Sequence, residues 1–228
     1  MCGRFVLAVD PQQVQMQFNL TNAPTVAANY NVSPTQPVAV VTNDTPRTLD
    51  YHRWGLIPSW AKDMSLGAKM INARAETVDE KPAFRAAFKR RRCLIPASGF
   101  YEWRTNDDGK KTPMYIHLKD QELFAFAGLW EIWNSPDGEL RTCTILTTDA
   151  NPFMQTIHNR MPVIMRLEDY DAWLQPGEIA AGAMKALLRQ YESEKMDAYE
   201  VSKAVNRAGY STPENIVPVT TSEQPRLL

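Results

Sequence analysis

Residues 93–130, CLIPASGFYEWRTNDDGKKTPMYIHLKDQELFAFAGLW, read as four short β-runs, at 93–97, 99–104, 113–118 and 123–130. Asn106-Asp107-Asp108-Gly109 is a turn signal between the second and third, and β-branched or aromatic residues fill the runs themselves. The same pattern recurs at 37–42, 48–54, 141–147 and 161–165, with further turn signals at Asn43-Asp44 and across 134–138. Helical patterns are fewer: 11–18, 82–92, 151–156, 167–174 and 178–191. The expected fold is therefore α+β: one β-rich domain over 1–228, an antiparallel, partly closed barrel-like sheet with a few peripheral helices.

Composition supports an ordinary packed core, with 44% hydrophobic and 22% charged residues in 228. Repeats, low-complexity stretches and long linkers are absent from the sequence, and its 16 prolines are scattered. The apolar run Phe5 to Val9 is shorter than the about 7–15 residues of a secretory signal and far too short to span a bilayer, so a cytoplasmic protein without a membrane partner is expected. Cys2, Cys93 and Cys143 form no Cys-x-x-Cys pair, which argues against a disulfide framework or a zinc site; Cys93 and Cys143 lie in apolar strand patterns and are expected in the core.

The net charge of -1 hides an asymmetry. Residues 1–111 hold 15 Lys and Arg against 10 Asp and Glu, and residues 112–228 hold 10 against 16. A basic half can attract phosphate, although two differing solvated surfaces give the same count. The run Lys89-Arg90-Arg91-Arg92 is open to the same two readings, since cations also favour the end of a helix begun at Pro82.

Four positions carry candidate chemistry. If Met1 is removed, Cys2 begins the chain with an amine (pKa ~7.7–8.0) next to a thiol (~8.5), a pair able to condense with an aldehyde and close a thiazolidine ring. By position alone Cys2 is equally a small residue buried near the terminus. In Met70-Ile71-Asn72-Ala73-Arg74-Ala75-Glu76, strand parity puts Asn72, Arg74 and Glu76 on one side: a polar row toward a cleft, or an exposed face with an Arg-Glu pair. Glu102, set among Phe100, Tyr101 and Trp103, is either a desolvated proton carrier or a surface carboxylate beside Arg104. His158 precedes an apparent buried strand and suits proton transfer or a structural role, with Arg160 sharing its parity. His52 and His117 offer no ligand spacing.

Together these segments resemble the SOS response-associated peptidase (SRAP) family, whose members process abasic sites. The resemblance rests on MCGRF at 1–5, YNVSPTQ at 30–36, HRWGLIPSWAKD at 52–63, INARAET at 71–77, RRCLIPASGFYEW at 91–103, TILTTDAN at 144–151 and IHNRMPVIM at 157–165, with Val201-Ser202 and Val205-Asn206 similar to the family's closing motif. It implies Cys2 as nucleophile, Asn72 and Glu102 as the groups that hold and activate an opened sugar, and His158 as a proton relay. It also implies loss of Met1 by self-processing and single-stranded DNA containing abasic sites as partner. Arg4, Arg74 and Arg160 become the expected phosphate contacts, and Pro34, Trp60 and Trp103 the expected base-packing surfaces. Such chemistry requires neither metal nor organic cofactor. An N-terminal cysteine peptidase or amidase, and a non-covalent single-strand binder, remain as alternatives built on the same residues.

Overall fold

The computed structural model describes residues 2–22, 25–135 and 138–219. Met1 and residues 136–137 of the expected turn lie outside them. In chain order the described strands are β1 (Phe5–Leu7), β2 (Asn29–Val32), β3 (Pro37–Thr42), β4 (Leu49–Trp54), β5 (Asn72–Arg74), β6 (Arg92–Ala97), β7 (Gly99–Thr105), β8 (Lys111–Leu118), β9 (Phe124–Ser135), β10 (Gly138–Asp149), β11 (Arg160–Pro162), β12 (Ile164–Met165) and β13 (Met196–Glu200). The helices are α1 (Pro11–Gln17), α2 (Arg85–Arg90), α3 (Pro152–Gln155), α4 (Tyr170–Trp173) and α5 (Ala181–Lys185).

One sheet has the order β13-β8-β7-β1-β2. In the other, β10-β4-β3-β6-β9 closes on itself because β9 and β10 also pair, from Gly138↔Ser135 to Ile145↔Gly128. Closure removes the unpaired edges that such a sheet would otherwise expose. The barrel is not antiparallel throughout: β10 runs parallel to β4 at Cys143↔Trp54 and to β5 at Leu146↔Ala73. Long stretches of chain separate these partners, and a crossover connection permits parallel pairing where a tight hairpin does not.

β9 is buried on both faces along Phe124 to Trp130, which explains why its sequence is almost continuously apolar rather than alternating. Gly128 is required there by close approach, since a Cβ would lie 2.8 Å from Cys93 Sγ and 3.0 Å from Thr144 O. Cys93 and Cys143 are both buried in this core. The two sheets meet through Phe5, edge-on to Trp54 (ring centroids 5.2 Å) and Phe126 (5.8 Å), with Phe100 edge-on to Phe126 at 6.0 Å. Each such pair contributes about 0.5–1.5 kcal/mol beyond the area it buries. The alternation of β7 then decides the site. Phe100 joins the core between the sheets and Tyr101 the smaller cluster behind, so Glu102 faces inward with Phe100 and Trp103 outward with Tyr101.

The cationic run at 89–92 resolves in favour of helix and core. Lys89 and Arg90 pair with Glu178, and Arg91 Nη2 lies 2.7 Å from Glu131 Oε2. Arg92 is fully buried and donates to the carbonyls of Phe88, Lys89, Trp173, Gln175 and Gly177, joining the C-terminal ends of α2 and α4. The helix expected over 178–191 shortens to α5, which lacks a side-chain cap at Ala180 and contains Gly182, a residue costing about 1 kcal/mol inside a helix. Among the described residues no helix is long and apolar enough to cross a membrane.

Candidate active site

β1 and β7 pair as Phe5↔Phe100, and Arg4 O accepts from Tyr101 N (2.9 Å); the same register, continued toward the terminus, draws residues 2 and 3 alongside Trp103 and Glu102. Asn72 enters from the barrel. Trp54 Nε1 donates to Ile71 O (2.9 Å) and Ile145 N to the same carbonyl (3.1 Å), which fixes the backbone just before β5. From there Asn72 Nδ2 donates to Cys2 O at 2.8 Å. Its Oδ1 is buried and accepts no hydrogen bond among the described residues, an acceptor left for a donor from elsewhere.

Glu102 is 3% exposed, and burial, the largest influence, raises its carboxyl pKa against smaller opposing influences that include His158. Its charge in turn reaches Cys2, whose thiol is pushed up first by burial and then by Glu102, against a lowering backbone hydrogen bond from Arg4. His158 is oriented by its own turn: its N–H donates to Met154 O (2.8 Å), and its Nδ1 accepts from Arg160 N–H (3.0 Å). With Nδ1 engaged as an acceptor, a proton on the ring belongs on Nε2. Cys2, Asn72, Glu102 and His158, some 156 positions apart at the extremes of the sequence, thus share one locality.

A reactive aminothiol calls for an open position, yet Cys2 has 0% exposure and belongs to the main core. A thiol in that setting holds its proton and is a poor nucleophile as it stands. In this state residue 2 is a small buried group near the terminus.

Beside Asn72 lies a cleft of about 450 Å³, lined also by Trp60, Arg74, Thr77, Lys81 and Phe84. That volume suits a small ligand or one nucleotide unit. Trp60 is 60% exposed and Arg74 is exposed, so an aromatic face and a cation border the same space. Lys81 and Phe84 were not singled out in the sequence, Phe84 being absorbed into the helical pattern from 82 and Lys81 standing just before it; in the structure they sit in the turn that precedes α2.

The remaining expected contacts are elsewhere or already engaged. Arg160 is 13% exposed at its side chain; Nη1 donates to Glu76 Oε1 (2.9 Å) and Asp149 Oδ1 (2.6 Å), and Nη2 to Glu76 Oε2 (2.9 Å) and Thr147 O (2.8 Å). Two carboxylates therefore neutralise it, and Glu76 pairs with this arginine rather than with Arg74. Arg4 Nη1 donates to Asn31 Oδ1 (2.7 Å) and Val205 O (2.8 Å). Trp103 faces away from Glu102, with Nε1 donating to Asn206 Oδ1 (2.8 Å). Pro34 is half-buried in the turn between β2 and β3, next to Thr35 with its positive φ of 72°. Among the described residues no group of three or more His, Cys, Asp or Glu is placed to hold a metal ion.

The profile of the SOS response associated peptidase (SRAP) family matches residues 1–208. The chain belongs to the SRAP family. Its similarity to other proteins of the family is broad: the abasic site processing protein YoqW of Bacillus subtilis is 47% identical, across 95% of this chain and 99% of its own length. The abasic site processing protein HMCES of Xenopus tropicalis is 30% identical, across 86% of this chain and 68% of its own. A crystal structure of a protein from Bacteroides thetaiotaomicron superposes with a TM-score of 0.87 at 27% identity, covering 96% of this chain and all of that one. The SRAP match includes all four clustered residues and the cleft that adjoins them.

Proposed function

We propose that the protein processes abasic sites in single-stranded DNA by joining the opened sugar covalently to residue 2 after Met1 has been removed. The observation that carries this reading is the convergence of Asn72, Glu102 and His158 on Cys2, beside a cleft that also contains Asn72, Trp60 and Arg74. Hydrolysis of the Met1–Cys2 bond consumes one water and frees the amine. The abasic deoxyribose opens to its aldehyde as Glu102 moves a proton from the hydroxyl to the ring oxygen. The Cys2 amine then attacks this carbon, and water leaves to give a Schiff base, with the Asn72 amide holding the sugar hydroxyl.

Ring closure follows from the same electrostatics that make the resting thiol inert. The sulfur adds to the imine carbon and its proton ends on the nitrogen, so a base must carry that proton across. A carboxylate whose own pKa is raised is a better acceptor for it, and His158 supplies the second stage of the relay. Net, one water is lost between protein and strand. An imine that persisted would instead allow proton loss at the adjacent carbon and expulsion of the phosphate; the closed thiazolidine has no imine and suppresses this lyase route.

The test pairs an abasic with an intact oligonucleotide, followed by denaturing electrophoresis. A heat-stable shifted band with the abasic strand alone is expected. Turnover of peptide substrates with no band on either strand overturns the proposal in favour of an amide hydrolase. Arg74 gives a separate expectation for the groove. In Arg74→Ala, the slope of log affinity against log salt for an intact single strand falls by about 0.7, the value of one phosphate contact. An unchanged slope removes Arg74 from the binding surface.

A further inference from the structure

We propose that Asn31 is a positioning residue: the loop at 205–210, gathered onto its side-chain amide, fixes Arg4 and through it the placement of Cys2 against Asn72. Asn31 lies on β2 and is 1% exposed. Its Oδ1 accepts from Arg4 Nη1 (2.7 Å), and its Nδ2 donates to the carbonyls of Val205 (3.2 Å), Arg207 (3.2 Å) and Tyr210 (2.7 Å). Arg4 Nη1 reaches Val205 O as well, at 2.8 Å. The cation, whose guanidinium pKa is lowered by burial, is thus held by amide and carbonyl oxygens, and no carboxylate pairs with it among the described residues. A neutral amide suits this place because it must accept from a cation and donate to carbonyls at once.

Two further ties fasten the same assembly. Trp103 Nε1 donates to Asn206 Oδ1, and Tyr101 OH donates to Tyr30 O at 2.8 Å. The loop, β2 and β7 are therefore joined behind β1, on the side opposite the Asn72–Cys2 bond. Residue 2 is gripped on one side through its carbonyl by Asn72, and two residues on by the anchored Arg4. Gly3 lies between these anchors, and glycine has the most backbone freedom to lose. The family match, which ends at residue 208, takes in the Val205 and Arg207 carbonyls and Asn206.

The inference rests on the reading that Cys2 is the reacting residue, but its first test needs no DNA. In the full chain, Asn31→Ala and, because a buried amide can support the fold, Asn206→Ala at the exposed end of the loop are compared with wild type. Thermal melting establishes that each is folded. Iodoacetamide alkylation of Cys2, followed across pH on the residue-2 peptide, reads its placement. In Asn31→Ala, Cys2 alkylation is expected to accelerate and its pH midpoint to fall toward the ~8.5 of an ordinary thiol. Attachment to a saturating abasic strand slows by about 10- to 100-fold, as misplacement of a reacting group predicts, with the half-saturating strand concentration little changed. Asn206→Ala shifts the same readouts by less. Unchanged Cys2 alkylation in a folded Asn31→Ala overturns the proposal; if that variant does not fold, unchanged alkylation in Asn206→Ala does so. Wild type that never attaches to DNA sinks the proposed function, while alkylation still decides the role of Asn31.

Discussion

Cys2→Ala and Cys2→Ser are each expected to leave no heat-stable band on an abasic strand unless the imine is first trapped by borohydride reduction. Both variants keep the backbone carbonyl that Asn72 holds, so the anchor at 2.8 Å is not the variable. Alanine and serine each retain an amine once Met1 is gone, but neither offers sulfur to close the five-membered ring. The imine then persists, open to hydrolysis or strand scission. Removal of one buried sulfur costs about 1 kcal/mol, well short of what unfolds a domain of this size. The comparison is read by denaturing electrophoresis with and without reductant. A stable, reductant-independent band from Cys2→Ala at the wild-type rate places the covalent bond on another residue.

The second large effect belongs to Glu102→Gln, which separates function from stability. Attachment slows by about 10²- to 10⁴-fold, the contribution of a positioned proton carrier. Stability moves the other way. Burial holds the Glu102 carboxyl pKa above its unfolded value, so the folded state binds the proton more tightly. Stability is therefore lost as pH rises from the unfolded pKa of ~4.3 through the raised folded value, and the full cost is present above it. Glutamine carries no such cost. Urea midpoints for the two proteins are expected to be close near pH 4 and to diverge in favour of the variant toward neutral pH. A variant that is less stable at neutral pH and attaches at the wild-type rate contradicts both halves.

What the sequence made legible follows the range over which each signal acts. Period-two alternation within β7 is local, and it set Glu102 on the same side as Phe100, but which side is the core came only from the packing of Phe100 against Phe126. All eight sequence-read β-runs fall on strands, the run at 161–165 being divided at Val163 between β11 and β12. Burial of Cys2 is not local. β1 has three residues, too few for a periodic signal, and its partners β2 and β7 lie far along the chain. Parity would align His158 with Arg160 only in an extended segment, whereas His158 lies in the turn after α3; the carboxylates that neutralise Arg160 come from the turn after β5 and the end of β10, whose parallel pairing no turn signal announces. Lys81 and Phe84 escaped because a wall of a cleft depends on where a helix starts, and α2 starts three residues later than its proline suggests.

The resting burial of Cys2 and its proposed reactivity are reconciled by order of events. In the proposed order the amine reacts first, and the protonated thiol adds only to an imine already formed on the neighbouring atom, with Glu102, its carboxyl pKa raised by burial, to take the proton. Mass analysis of the intact adduct, before and after denaturation and alkylation, examines this directly. The account predicts a mass equal to the chain without Met1 plus the abasic strand less one water, with the residue-2 sulfur refusing alkylation even when unfolded. An adduct that retains Met1, or one whose Cys2 thiol alkylates freely once denatured, contradicts it.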